Sequence, residues 1–300
     1  MDVAVTGVTG FLGAHLTRVL RDQGHRVRGL VRAGSDRSNL EGLEVALIEG
    51  DLADGEIPRA FTAGADLVIH LAALYAEGTE QTNPMFAVNV MGTGALLGAA
   101  CAAGVPRFLH CSTMGTCAPT SDGEPATEAD RIDLARTSAY HLTKVAGEDL
   151  ASRTEGIDVV IVNPAAPVGA FDLKPTVTGQ KVRDVVEGRW PRLLAGPVNH
   201  VSARGCAEGI VAAAEHGRPG ERYLLGGEEL APEAFIERVA QAASVPPPRR
   251  SLWMRLCRKG RWSPGSFRID DGKARRELGY DPGDLDDAFR EAASWFKRQR

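Results

Sequence analysis

A doubly wound α/β fold, a parallel sheet with helices on both faces, is predicted for this 300-residue chain by three observations. Short β-branched apolar runs alternate with helical stretches through the first half, which favours parallel strands joined by right-handed crossovers. A glycine-rich turn stands between the first run and the first helix. Neither an internal repeat nor a long linker interrupts the alternation.

Asp2-Val3-Ala4-Val5 is the first strand, suited to a buried parallel position. Thr6-Gly7-Val8-Thr9-Gly10-Phe11-Leu12-Gly13 follows, and Leu12 to Gln23 is an amphipathic helix. Gly7 allows the tight turn, Gly10 removes a side chain where backbone must approach a pyrophosphate, and Gly13 lets the helix pack close to the sheet. The free N–H groups and positive dipole end of that helix complete a dinucleotide site of the Rossmann type. Its spacing is G-x-x-G-x-x-G, not G-x-G-x-x-G. Arg26 to Arg32 is strand two, Glu44 to Leu52 strand three and Ala65 to Ala73 strand four. Arg107 to Ser112 is strand five, Asp158 to Pro164 strand six, and helices are expected over 82–103 and 139–154. Beyond Pro164 the chain becomes rich in Gly and Pro, then helical and charged. Residues 1–164 are read as the cofactor-binding domain. Residues 165–300 are read as mainly a substrate-binding region, discontinuous because part of it returns to the sheet.

The composition narrows the function. With 43% apolar residues a large core is expected, and a net charge of −4 argues against a nucleic-acid partner. No stretch is read as approaching the roughly 20 apolar residues of a membrane span. A first strand beginning at residue 2 leaves no room for a signal peptide. Five cysteines, an odd number without a C-x-x-C pair, suit reduced thiols in a cytoplasmic protein. Seven histidines without ligand spacing give no metal site.

The end of strand two decides the adenosine half of the cofactor. An acid there would hydrogen-bond a ribose 2′-hydroxyl. This strand ends Val31-Arg32, and a guanidinium binds a 2′-phosphate and stacks on adenine, so NADP(H) is preferred and NAD is the alternative. Ser35, Arg37 and Ser38 are available to supplement Arg32; Asp36 is the one opposing charge. Asp51-Leu52 suits adenine, with a carboxylate for its amino edge and an apolar backing.

Tyr140 and Lys144, four residues apart, share a helix face. A phenol of pKa about 10 is a poor acid–base group at neutral pH. A cation one turn away lowers that value and also reaches the nicotinamide ribose. At the end of strand five, Thr113, with Ser112 as the neighbouring alternative, offers a hydroxyl to orient a carbonyl or alcohol.

These residues carry a resemblance. T-G-x-T-G-F-L-G (6–13), G-D-L (50–52), H-L-A-A (70–73) and N-V-x-G-T (89–93) are followed by the Ser-Thr strand end and Y-x-x-x-K (140–144). N-P-x-x-P-x-G (163–169) and K-A-R-R-E-L-G-Y (273–280) complete the set. Over nearly its whole length the chain resembles the extended short-chain dehydrogenases/reductases. The branch is that of NAD-dependent epimerase/dehydratases, dihydroflavonol-type reductases and hopanoid-associated sugar epimerases. The resemblance implies a catalytic triad of Thr113, Tyr140 and Lys144, with Thr in place of the commoner Ser. It implies that Asn89 supports the sheet and an active-site water, that Asn163-Pro164 presents the nicotinamide, and that Ala72-Ala73 pass along the cofactor. It also implies a homodimer through helices 82–103 and 139–154, for which Leu96-Leu97 and Ala99-Ala100 are the expected contact surface. His70 and Cys111 are read as core residues.

Departures from the family pattern separate reductase from epimerase. Nucleotide-sugar epimerases place an arginine at the head of R-x-[FY]-[IV]-H-V; the matching segment Pro197–Ser202 lacks it, and Ser202-Ala203 replace the acidic pair. With Arg32, this favours an NADP(H)-dependent reductase that turns a ketone or aldehyde of a small organic substrate into an alcohol, with Tyr140 as proton donor. A nucleotide-sugar epimerase/dehydratase is the alternative, and a non-catalytic NADP(H)-binding regulator the second. The basic run Arg249, Arg250, Arg255, Arg258, Lys259 and Arg261 interleaves with Trp253, Met254, Leu256 and Trp262. It is read as a solvated helix face; the other readings are a cation source for substrate phosphate, a surface for an acidic carrier protein or a hydrophobic lid.

Overall fold

The computed structural model describes residues 1–52, 57, 59–76, 79–120, 124–249 and 266–299. Its strands are β1 Asp2–Thr6, β2 Arg26–Val31, β3 Ala46–Glu49, β4 Leu67–His70, β5 Arg107–Cys111 and β6 Asp158–Pro164. They continue with β7 Ala166–Val168, β8 Val198–Ser202, β9 Arg222–Leu225 and β10 Glu228–Leu230. Helices are α1 Phe11–Asp22, α2 Arg59–Thr62, α3 Thr82–Phe86, α4 Thr93–Ala102, α5 Ala139–Ser152, α6 Val177–Val186, α7 Ala203–His216 and α8 Pro232–Ala242. A helix over Leu285–Arg298 lies near the C-terminus.

The predicted doubly wound sheet is present. Seven parallel strands lie in the order β3-β2-β1-β4-β5-β6-β9. The order reverses between β1 and β4, and open α/β sheets bind ligands at the carboxyl ends beside such a reversal. Alternation along each strand assigns its two faces. Val3, Val5, Ile69, Leu109 and Val160 pack with Leu16 and Leu20 of α1 and Ile210 of α7. Ala4, Val68, Phe108 and Ile161 pack with Phe61 of α2 and Leu96, Leu97 and Ala100 of α4. A further cluster joins Val182 and Val185 of α6, Phe235 and Ile236 of α8, and Phe289 and Phe296 of the C-terminal helix.

Three differences from the sequence reading have physical causes. Strands three and four are shorter than expected at both ends, because the residues flanking Ala46–Glu49 and Leu67–His70 run as connections. Strands β7 to β10 escaped the reading, since three- to five-residue strands are too short to show a period; β9 closes the main sheet and β10-β8-β7 form a second one. Thr82–Ala102 is also a 21-residue helical run long and apolar enough to cross a membrane by length and composition, a property the sequence reading did not single out because Asn83, Asn89 and Thr93 interrupt the apolar residues. Its buried residues Met85, Asn89, Leu96, Leu97 and Ala100 show why it is apolar: it packs between the sheet and α5. The same burial removes Leu96, Leu97 and Ala100 from the surface on which a dimer contact was expected.

Candidate active site

The glycine loop has the shape its spacing predicts. Gly7 has φ of +74°, in the left-handed region, and a Cβ there would stand 2.8 Å from the backbone nitrogen of Ala72. A Cβ on Gly13 would come within 2.1 Å of the Gly7 carbonyl, so α1 starts directly against the turn. Gly10 is exposed at the N-cap of α1, whose first turn carries no acid. Open backbone N–H groups and a positive helix end fit a diphosphate. Ala72 donates its N–H to Thr6 Oγ1 at 3.2 Å, which seats the Ala72-Ala73 backbone beside the loop.

At the end of β2, Arg32 is exposed. The opposing charge of Asp36 is used locally: its carboxylate accepts the Ser38 N–H at 2.9 Å. Arg37 does not supplement Arg32, since it pairs with Glu49 at 2.9 Å, back on β3. Leu52 is buried with its Cβ and carbonyl facing Gly92, where any side chain would collide with it; Asp51 precedes it at the rim. Asn39, absent from the sequence reading, donates to the carbonyls of Thr9 and Phe171, both at 3.0 Å. Phe171 holds φ of +68°, under the Arg18 guanidinium at 3.8 Å and edge-on to His15. This latch ties the glycine loop to the segment after β7.

The catalytic candidates converge at the end of β5. Ser138 caps α5 by accepting the His141 N–H, which sets Tyr140 and Lys144 on the side facing β5. Lys144 is 3% exposed and donates from Nζ to the Cys111 carbonyl at 2.7 Å. Thr113 Oγ1 accepts the Gly115 N–H at 3.3 Å. Ser112 Oγ is buried without a hydrogen-bond partner among the described residues. Asn89 sits in a π-helical turn, Ala87–Gly92, and grips Leu74: its Oδ1 accepts Leu74 N–H at 2.7 Å, and its Nδ2 donates to the Leu74 carbonyl and Thr143 Oγ1.

One expectation is overturned. Lys144 was to lower the Tyr140 phenol; instead, burial and the neighbouring Cys111 and Tyr75 push it above the ordinary phenol range. The ammonium is engaged on Cys111 O, and burial also lowers its own pKa, against the opposing pull of Cys111 and Glu148. His70 is a brace, as expected of a core residue: Thr6 Oγ1 at 2.7 Å and Thr93 Oγ1 at 2.9 Å hold its nitrogens, and burial pushes its imidazole down to about 3. Cys111 is likewise buried, and burial raises its thiol to about 11.

Sequence reasoning missed what holds α5 in place. Glu148, one turn beyond Lys144, is 0% exposed and takes Arg131 at 2.5 Å and Arg222 of β9 at 3.2 Å. Thr116 Oγ1 and Asn163 Nδ2 donate to its other oxygen at 2.7 and 2.6 Å. Asn163 also donates to the Thr113 carbonyl, so the Asn163-Pro164 end of β6 is fastened to the β5 end and to α5. The continuing stripe Tyr140, Lys144, Glu148 was the available signal. Of the basic run, Arg250 to Arg261 lie outside the described residues, as do Trp253, Met254, Leu256 and Trp262.

Comparison with known proteins agrees with this geometry. Residues 3–226 match the model of the NAD dependent epimerase/dehydratase family. A putative dihydroflavonol 4-reductase of Synechocystis is 30% identical, over 98% of this chain and 94% of that protein. Sterol demethylase protein B of Methylococcus capsulatus is 31% identical, over 100% of this chain and 99% of that protein. The crystal structure of a nucleoside-diphosphate-sugar epimerase from Pseudomonas aeruginosa superposes with a TM-score of 0.84 at 30% identity, covering 100% and 98% of the two chains. With the glycine loop, the reversed strand order and the Tyr–Lys helix in place, the chain belongs to the NAD-dependent epimerase/dehydratase family and is an NAD(P)-dependent enzyme of the extended short-chain dehydrogenase/reductase type.

Proposed function

We propose that the protein reduces a carbonyl of a small organic substrate to an alcohol and uses NADP(H) in preference to NAD. The observation that carries the reading is Arg32, exposed at the end of β2, while the nearby carboxylates Asp36 and Glu49 are engaged by Ser38 and Arg37. When bound, the reduced nicotinamide supplies the hydride. Thr113, at the β5 end, orients the carbonyl oxygen, with Ser112 as its neighbour. The Tyr140 hydroxyl, protonated at neutral pH as any ordinary phenol is, gives that oxygen a proton. Lys144 holds the β5 end through Cys111 and would also serve the cofactor ribose when NADP(H) is bound. Gly7, Thr9, Gly10, Phe11, Leu12 and Gly13 would hold the diphosphate, and Asp51 and Leu52 would border the adenine.

The epimerase reading has one observation of its own, the solved relative named a nucleoside-diphosphate-sugar epimerase. Against it stands Pro197 to Ser202, which offers no arginine, and whose His200 is buried with Nδ1 on the Val198 carbonyl. Purified protein incubated with NADPH and a carbonyl panel discriminates: stoichiometric NADPH oxidation supports reduction. Tightly held NAD and sugar turnover without net NADPH loss support the alternative and sink the proposal. A regulator that only binds NADP(H) is tested by Tyr140→Phe, which would leave a binding role intact.

A cytoplasmic homodimer completes the proposal. The outward residues Phe86 and Met91 of the long helix and Leu142 and Leu150 of α5 support a contact there. Light scattering on eluted protein tests it, and a monomer at micromolar concentration counts against it.

A further inference from the structure

Arg37 is taken by Glu49, which leaves Arg32 as the cation of the β2-end loop without an acidic partner among the described residues. A second cation arrives from far along the chain. Asn39 Nδ2 donates to the Phe171 carbonyl at 3.0 Å and so ties the segment after β7 to this loop. Just beyond, that segment closes on itself. The Leu173 N–H donates to the Phe171 carbonyl at 3.0 Å, and the buried Asp172 carboxyl oxygens accept the Thr176 N–H at 3.0 and 2.9 Å. The Thr176 hydroxyl donates to Asp172 as well, at 2.8 Å. Lys174 stands at the apex of this pinned turn and is the only exposed residue of 169–176. Its ammonium makes no hydrogen bond or ion pair among the described residues. It acts on the β2-end loop by charge: hydrogen bonds from the Ser38 backbone and side chain hold the Asp36 carboxyl below its ordinary value, and the Lys174 ammonium adds to them.

A 2′-phosphate carries more than one negative charge at neutral pH. With Asp36 counted against it, Arg32 alone leaves the loop without net charge; Lys174 makes the rim positive. A lysine is a point charge on a flexible stem, so it takes a phosphate without the fixed fork that an arginine needs. Anchoring of its backbone by Phe171 and Asp172 lowers the cost of ordering it. We propose that Lys174 is a specificity-determining residue for the cofactor, a second cation that acts with Arg32 on the 2′-phosphate of NADP(H). The segment after β7, on the substrate side of the chain, then takes part in choosing the cofactor. This rests on the reading of NADP(H) as the cofactor and of Arg32 as its first phosphate cation. No bond is made or broken in this role.

The test is the ratio of the Kd for NAD+ to the Kd for NADP+, measured by calorimetric titration of the full chain without substrate. Lys174→Gln lowers this ratio about fivefold, the upper range for one exposed charge pair, and Lys174→Arg keeps it within about twofold. The loss lies in NADP+ binding, and the unchanged Kd for NAD+ shows that the fold is intact. The same loss is expected in an Asp36→Asn background, where the amide oxygen still accepts the Ser38 N–H. A loss that vanishes in that background means that Lys174 only offsets Asp36, and it overturns the contact with the phosphate. An unchanged ratio in Lys174→Gln, or equal weakening of both cofactors, overturns it too; if Arg32→Ala still lowers the ratio, the cofactor reading stands without Lys174. Wild-type protein that binds NAD+ as tightly as NADP+ overturns the cofactor reading and Lys174 together.

Discussion

Tyr140 is the group proposed to give a proton, and burial raises its phenol rather than lowering it. Tyr140→Phe removes only the hydroxyl. Loss of a positioned general acid lowers kcat by about 10²–10⁴-fold, while the Kd for NADPH, read by fluorescence titration, stays within about threefold because ring and backbone are unchanged. Arg32 makes a separate prediction. A hydrogen bond to a charged group is worth about 1.5–3 kcal/mol, so Arg32→Ala lowers the NADPH-over-NADH preference in kcat/KM by roughly 10–100-fold. An unchanged preference would remove Arg32 from the cofactor site. Both residues were legible because their chemistry depends on short spacings: Arg32 ends a strand, and Tyr140 lies one helical turn from Lys144. Tyr75 and His141 were not legible, since their meeting with Tyr140 depends on where β4 and α5 end in space.

Elements, more than single side chains, carry the rigidity of the site. Helix α5 presents Tyr140, Lys144 and Glu148 along one stripe, and Glu148 gathers Arg131, Arg222, Thr116 and Asn163 from three other parts of the chain. Glu148→Ala leaves the Arg222 guanidinium buried beside Cys117 and Thr116 without its anion. Breaking a buried pair from one side costs about 3–5 kcal/mol; urea unfolding measures it, and a loss under 1 kcal/mol would show that the pair does not hold α5. At the other end of the site, Gly13→Ala forces a methyl against the Gly7 carbonyl. The α1 N-terminus must then move from the turn, so NADPH affinity falls at least tenfold by the same titration. The glycine loop was legible in the sequence because close approach demands glycine at set intervals. The Glu148 cluster was not, because its donors are far apart in the chain and only the fold brings them together.

Over the whole molecule, buried histidines set the response to acid. Burial pushes His15 down to about 4, His70 and His200 down to about 3, and His110 well below the ordinary 6.5. A folded-state pKa below the unfolded one means that the stability is present above about pH 6.5 and is lost as pH falls toward the folded value. Each histidine then removes up to about 1.4 kcal/mol per pH unit. Asp172 works the other way: burial raises its carboxyl to about 6, so protonation between pH 6 and 4 favours the folded state. Four buried histidines outweigh one carboxyl, and the urea midpoint falls steadily from pH 7 to pH 5. A flat midpoint over that range would contradict the buried neutral imidazoles. The sequence by itself determined the doubly wound class, the glycine loop, the strand-end arginine and the Tyr–Lys pair, because each rests on local geometry with a period of two or of 3.6 residues. Only the tertiary structure decided that β9 closes the sheet and that Glu148 anchors α5. It alone decided that Lys144 leaves the phenol high and that Leu96 and Leu97 belong to the core. Those outcomes depend on burial and on contacts between distant segments, which no local pattern encodes.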